Sequence, residues 1–123
     1  TVKDLMRTSF TKIHLGDTYA KVVEQYKLGK EHNFLVFDSM GNLSGNVPEM
    51  FINDVITSNN LDKRVNEFMS EKKMLISPNT TLQNAIRFMR DNGLAILGVE
   101  QDNYLIGIID RNDIETYIRT HID

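Results

Sequence analysis

Two aspartates three residues apart stand near the C-terminus, in the stretch GIIDRND at residues 107–113. At the start of a helix, carboxylates with this spacing accept hydrogen bonds from unpaired backbone N–H groups and offset the positive helix end. About half the chain earlier, the stretch GNVPEMF at residues 45–51 occupies the corresponding place, with proline and phenylalanine instead of the aspartates. The sequence therefore predicts two copies of one device, of which only the later is acidic at both positions.

No other set of residues converges on catalysis. His14, His32 and His121 are far apart and have no metal-ligand spacing. The chain has neither a base-flanked nucleophile motif nor a glycine-rich phosphate loop. With no cysteine, it also has no thiol nucleophile and no zinc-thiolate site. We therefore expect no enzymatic activity and no metal site in this segment.

Composition narrows the class of protein. The chain has 123 residues, of which 41% are hydrophobic and 25% charged, with a net charge of -3. These values are typical of a soluble globular domain, and the apolar runs are far shorter than the ~20 residues of a transmembrane helix. Mild acidity disfavours nucleic-acid binding. We expect a cytoplasmic segment of a longer protein, not inserted into a membrane itself.

Sliding the second half over the first reveals an internal repeat. The copies span residues 1–60 and 61–123, and we expect them to pair about a pseudo-two-fold axis as one compact module. Gly45 and Gly107, which begin the two matched stretches, are expected to allow close backbone packing. The matched pairs are Val2/Val65, Met6/Met69, Ile13/Ile76, Thr18/Thr81, Leu35/Leu97, Phe37/Val99, Leu43/Leu105, Gly45/Gly107 and Ile52/Ile114.

Each copy has the periodicity of a β-α-β-β-α unit. Apolar residues recur at helical spacing from Tyr19 to Tyr26 and from Leu82 to Met89. Asp17 or Thr18 can cap the first of these helices, and Asn79 or Thr80 the second. The pattern predicts an α/β (α+β) fold with small mixed sheets. The predicted strands are Thr11–Leu15, Phe34–Phe37, Leu43–Val47, Met74–Ser77, Ala95–Val99 and Tyr104–Ile109.

The doubled unit resembles the cystathionine-beta-synthase (CBS) domain pair. The second copy carries the family's pattern in order, from Val65-x-x-x-Met69 through Ile76-Ser-Pro78 and Gly93 to the stretch at residues 107–114. The opening of the first copy, residues 5–11, is most similar to CBS pairs attached to site-2-type membrane zinc metalloproteases. None of that protease's metal-binding residues would lie in this segment.

The resemblance implies a ligand site in the second copy. Asp113 stands where the family's aspartate grips both ribose hydroxyls, and Asp110 where a Ser or Thr hydroxyl meets a phosphate. Ile76 and Pro78 stand near the adenine wall. The ligands implied are adenosine, AMP, ATP or S-adenosylmethionine. Because the Asp110 carboxylate would repel a phosphate, the sequence favours a ligand without one, unless Mg²⁺ bridges the carboxylate and the phosphate or Asp110 serves only as a helix cap.

In the first copy, Pro48 and Phe51 take the two corresponding positions, and Phe51 cannot accept a hydrogen bond from a ribose hydroxyl. We therefore expect at most one ligand per chain.

Two functions remain open at this point. The first is a regulatory module that senses an adenosine-containing ligand and modulates an attached protein. The alternative is a ligand-free structural or dimerisation module of a larger protein. Phe88 lies off the apolar stripe of its helix, where the first copy has a polar residue, which favours a homodimer with Phe88 at the interface.

Overall fold

Two three-stranded mixed sheets organise residues 1–121, the part of the chain that a computed structural model describes. In each sheet the first strand pairs in parallel with the second, which pairs antiparallel with the third. The α+β fold and the predicted order of elements are thereby confirmed. The strands are β1 (Ile13–His14), β2 (Phe34–Phe37), β3 (Leu43–Val47), β4 (Leu75–Ile76), β5 (Ile96–Gln101) and β6 (Tyr104–Asp110).

Five α-helices lie within residues 1–121. They are α1 (Val2–Leu5), α2 (Tyr19–Lys27), α3 (Glu49–Ser58), α4 (Leu82–Asn92) and α5 (Arg111–His121), and a 3-10 turn spans Val65–Glu67. The predicted stripes face the core: α2 buries Tyr19, Val22 and Val23, and α4 buries Ala85 and Met89. These helices are held by their apolar faces, as expected for short amphipathic segments.

Helix ends follow the local sequence closely, with one difference. Thr18 precedes α2 as predicted. The cap of α4 is Thr81 instead of Asn79 or Thr80, and its Oγ1 accepts a bond from the Asn84 N–H at 3.1 Å. The shift arises because Thr80 belongs to the preceding turn, where its N–H donates to the Ser77 carbonyl at 3.0 Å. A left-handed glycine, Gly93, ends α4.

Contacts divide the chain into two units whose boundaries differ from those of the sequence repeats. The C-terminal unit joins Thr1–Phe10 to the chain from Met74 onward, and the central unit is Thr11–Lys73. The first residues therefore pack with the second repeat: the Val2 N–H donates to the Thr80 carbonyl at 2.8 Å. In the central unit, the Val65 N–H likewise donates to the Asp17 carbonyl at 2.8 Å. The first segment of each sequence repeat therefore packs in the unit formed mainly by the other repeat.

Candidate ligand site

Asp110 is the last residue of β6 and directly precedes α5 in the C-terminal unit. Its Oδ1 accepts a hydrogen bond from the Asn112 N–H at 2.8 Å, and the residue is only 5% exposed. The carboxylate therefore caps the helix, as the spacing of the two aspartates predicts. A role for Asp110 toward a ligand phosphate stays a prediction.

Asp113 lies in the first turn of α5 and is held by an arginine from the start of the chain. Arg7 Nε donates to Asp113 Oδ2, and Arg7 Nη2 to Asp113 Oδ1, each at 2.7 Å. This is the two-pronged geometry in which a guanidinium matches a carboxylate best. The side chains are 34% and 20% exposed for Arg7 and Asp113. The pair is thus partly open to solvent.

A backbone bridge places Arg7 beside Asp113. The Arg7 N–H donates to the Ile108 carbonyl at 2.8 Å, and the Ile108 N–H donates back at 2.9 Å. The neighbouring Gly107 makes this approach possible, because a Cβ there would lie 2.8 Å from the Arg7 carbonyl oxygen and 3.0 Å from Met6 Sδ. Close packing at this glycine confirms the expectation from the sequence.

Ile76 and Pro78, the residues predicted to stand near an adenine, lie in the same unit. Ile76 is 7% exposed and pairs with Val99 between β4 and β5. Pro78 is buried, and its carbonyl accepts a bond from the Lys3 N–H at 2.9 Å. The fold therefore brings all four predicted site residues into one unit. Their contact with a ligand stays a prediction.

Sequence reasoning missed Arg7, which lies 106 residues from Asp113 along the chain. Its position in the repeat gave one signal, since Arg7 follows Met6 as Ser70 follows Met69. The match of Arg7 with Ser70 does not by itself show that these residues pair with a strand. That becomes clear only from the pairing of Arg7 with Ile108 and of Ser70 with Asn46 in the structure. The position of Arg7 opposite Asp113 thus depends on tertiary structure and could not be predicted from the local sequence pattern.

The central unit repeats this architecture with different side chains. Asn46 and Ser70 form the corresponding bridge, with bonds of 2.9 and 3.0 Å. A Cβ at Gly45 would collide with the Ser70 carbonyl, so this glycine also permits close packing. Phe51, at the position equivalent to Asp113, stacks on Phe68 with ring centroids 4.4 Å apart and planes at 13°. Phe51 therefore packs within the central unit.

Phe88 is less exposed than the sequence predicted. It is half-buried on α4 and packs against the core of the C-terminal unit, with the Arg87 guanidinium 5.8 Å from its ring centre. Its helical position is off the buried stripe, but the ring folds back onto the core margin. A place for Phe88 in a dimer interface stays a prediction.

Residues 65–120 match the family model of the CBS domain. A solved CBS-domain-containing protein of Agrobacterium tumefaciens shares 19% identity and a TM-score of 0.79, over 94% of this chain and 90% of that one. The chain has the fold of a CBS domain pair.

Two further CBS structures contain adenosine derivatives. The protein CBSX2, in complex with AMP, is 21% identical with a TM-score of 0.74, over 98% of this chain and 96% of that one. The CBS pair of protein MJ0100, in complex with 5'-methylthioadenosine and S-adenosyl-L-methionine, is 16% identical with a TM-score of 0.81, over 98% and 97%. A comparison with curated protein sequences gives no significant match.

CBS domains are regulatory modules rather than catalytic domains. Among residues 1–121, no group of three or more His, Cys, Asp or Glu side chains is arranged to hold a metal ion. In the same part of the chain, every helix is too short or too polar to cross a bilayer.

Proposed function

We propose that this CBS pair is a regulatory module that binds an adenosine-containing ligand in the C-terminal unit and modulates a protein attached to it. One observation carries the proposal: Asp113 presents a partly exposed carboxylate at the start of α5, held in place by Arg7. A carboxylate accepts hydrogen bonds at both oxygens, which suits the two hydroxyls of a ribose. The AMP and S-adenosylmethionine complexes of proteins with this fold support the ligand class.

The central unit offers no second site of this kind. Phe51 replaces the carboxylate, and its ring already stacks on Phe68. A ribose placed there would lose charge-assisted bonds worth about 1.5–3 kcal/mol each. The proposal therefore includes a stoichiometry of one ligand per chain, in the C-terminal unit.

Calorimetry with adenosine, AMP, ATP and S-adenosylmethionine tests the proposal. Asp113→Ala should lose about 2–4 kcal/mol of affinity for whichever ligand binds the wild type. Folding stability should fall by only about 1 kcal/mol, because the lost ion pair is partly solvated. Asp91→Ala is the matched control, since Asp91 is an exposed helical aspartate paired locally with Arg90. Equal affinities in wild type and Asp113→Ala would remove Asp113 from the site.

The attached protein that we propose is a site-2-type membrane zinc metalloprotease, with the module on the cytoplasmic side. The support is the similarity of residues 5–11 to the opening of CBS pairs in that family. The flanking sequence of the full-length protein tests this directly. It should contain apolar segments of ~20 residues and an H-E-x-x-H helix motif. Flanking sequence without either would reject the assignment.

A ligand-free dimerisation module is the second candidate, favoured by a specific contact. Because Arg7 already satisfies both oxygens of Asp113, the site is stable without a ligand. In this case no adenosine derivative should raise the melting temperature, while light scattering should give twice the chain mass of 14.2 kDa. Phe88→Ala should then shift the protein toward monomer, and Tyr104→Ala, which removes an exposed aromatic on β6, should not. A monomer at high micromolar concentration would exclude this candidate.

A further inference from the structure

The pairing of Arg7 with Asp113 bears on which ligand the proposed site selects. A ribose that approaches Asp113 meets a carboxylate whose two oxygens each accept one arginine N–H at 2.7 Å. Each oxygen keeps a second lone pair, but the guanidinium covers one edge of the carboxylate. Two ribose hydroxyls therefore compete with Arg7 for the same group, and a ligand binds best when it gives the guanidinium another partner.

A nucleotide phosphate is such a partner. The planar guanidinium binds phosphate oxygens with the same two-pronged geometry as a carboxylate. AMP can therefore replace the pairing of Arg7 with Asp113 by two contacts of its own. Its ribose binds Asp113 and its phosphate binds Arg7. Adenosine offers the guanidinium nothing in return for Asp113, so its binding leaves Arg7 with a weaker partner.

The backbone and the side chain of Arg7 are held by different contacts. Its backbone is fixed by the bridge to Ile108, whereas its side chain is 34% exposed. The side chain can thus reorient without breaking the backbone pairing. Asp110, the residue expected to repel a phosphate, is 5% exposed and caps α5 through Asn112. The preference for a phosphate-free ligand that the sequence indicates depends on the two carboxylates alone, and the structure adds the Arg7 guanidinium, which bonds Asp113 at 2.7 Å.

We propose that Arg7 is a specificity-determining residue of this site. When an adenine nucleotide binds, the Arg7 guanidinium moves from Asp113 to the 5'-phosphate, and Asp113 binds the ribose hydroxyls. This inference rests on the proposed function, because it names the selectivity of the same site. It reverses the preference expected from the sequence. AMP and adenosine form the matched ligand pair, since they differ only in the phosphate.

The experiment is calorimetric titration of AMP and adenosine into the wild type, Arg7→Gln and Arg7→Lys. The wild type should prefer AMP. In Arg7→Gln, the ratio of AMP affinity to adenosine affinity should fall by about 10- to 100-fold, the effect of one charge-assisted bond. Adenosine itself should bind Arg7→Gln at least as well as the wild type. Arg7→Lys keeps the positive charge but lacks the two-pronged guanidinium. Its ratio of AMP affinity to adenosine affinity should therefore lie between those of the wild type and Arg7→Gln.

Arg90→Gln is the matched control, because Arg90 is 69% exposed on α4 and pairs only weakly, at 3.6 Å, with its neighbour Asp91. It removes the same charge from the same unit and should leave the ratio unchanged. A second measurement follows pH. The phosphate gains its second charge near pH 6, so wild-type AMP affinity should rise between about pH 5 and 7, and this rise should flatten in Arg7→Gln.

The possible results separate this inference from the proposed function. If both ligands bind and Arg7→Gln leaves their ratio unchanged, or weakens both equally, the inference is overturned while the proposed function stands. If neither ligand binds the wild type or any Arg7 variant, both fail. If Arg7→Gln does not fold, the ratio in Arg7→Lys decides: an unchanged ratio overturns the inference, and a reduced ratio with unchanged adenosine affinity supports it.

Discussion

Replacing Gly107 with alanine tests the packing that places the candidate site. The added Cβ would lie 2.8 Å from the Arg7 carbonyl oxygen, which is backbone and cannot swing aside. Ordinary carbon–oxygen contacts in sheets begin near ~3.3 Å, so the strand and the opening segment must separate by about 0.5 Å. The Met6 sulfur, at 3.0 Å from the same Cβ, can move more easily because its side chain is flexible.

The size of the effect follows from the bonds at risk. The bridge between Arg7 and Ile108 has two backbone hydrogen bonds, at 2.8 and 2.9 Å. Each is worth about 0.5–1.5 kcal/mol net, so losing both costs about 1–3 kcal/mol. Alanine recovers about 0.5–1 kcal/mol by restricting the unfolded chain. The difference is about 0–2.5 kcal/mol, and we expect Gly107→Ala to lower the free energy of unfolding by about 1 kcal/mol.

Urea unfolding followed by circular dichroism measures this difference. Gly16→Ala is the control, because a Cβ at Gly16 meets no atom within 4 Å and the backbone there is compatible with alanine. That variant should be as stable as the wild type or slightly more stable. If Gly107→Ala were as stable as Gly16→Ala, the close approach of the opening segment to β6 would not require a glycine, and the reasoning would be refuted.

Two further predictions concern the central unit. Hydrogen bonds from the backbone N–H of Asn42 and its neighbours lower the pKa of Asp38 below its usual value. Its stabilising effect is therefore complete above about pH 4 and lost as the pH falls through the folded-state pKa, so Asp38→Asn should flatten the acid side of the stability curve below about pH 4. Phe51→Ala should cost about 2 kcal/mol in urea unfolding, less than a fully buried phenylalanine, since Phe51 is half-buried against Phe68. Met50→Ala, at a residue 68% exposed, should cost under about 0.5 kcal/mol.

Periodicity predicted the regular elements well where burial is continuous. β2 and β3 have the predicted bounds: β2 is a continuous run of four buried apolar residues, and β3 begins at Leu43 and ends at Val47, the two apolar residues of that strand. The leading strands are shorter than predicted: only Ile13–His14 and Leu75–Ile76 pair with a neighbour. Their length is set by how many residues reach the adjacent strand. That quantity depends on tertiary pairing and leaves no trace in the local pattern.

The candidate site likewise contains one residue whose role the local sequence predicts and one whose position depends on tertiary structure. Asp110 was predicted as a helix cap from its spacing to Asp113, and the cap is present. Arg7 was not predicted, since its place beside Asp113 depends on the first ten residues packing with the second repeat. Aligning the repeats matches Thr1–Phe10 with the segment before β4, and this match gives no indication of which unit either segment completes.

The two units show why the acidic residue and the arginine belong together. In each unit a bridging segment pairs with the third strand beside a glycine, through Arg7 and Ile108 in one and Ser70 and Asn46 in the other. A carboxylate at the start of the following helix, partly removed from water, needs a cation or a ligand to balance its desolvation. Phe51, in the corresponding place, needs neither and packs on a ring instead. The carboxylate of Asp113 in the C-terminal unit therefore needs a partner, and in this structure that partner is Arg7. Under the proposed function, ribose hydroxyls replace Arg7 as the partner of Asp113, and we propose that this exchange is how a ligand alters the C-terminal unit.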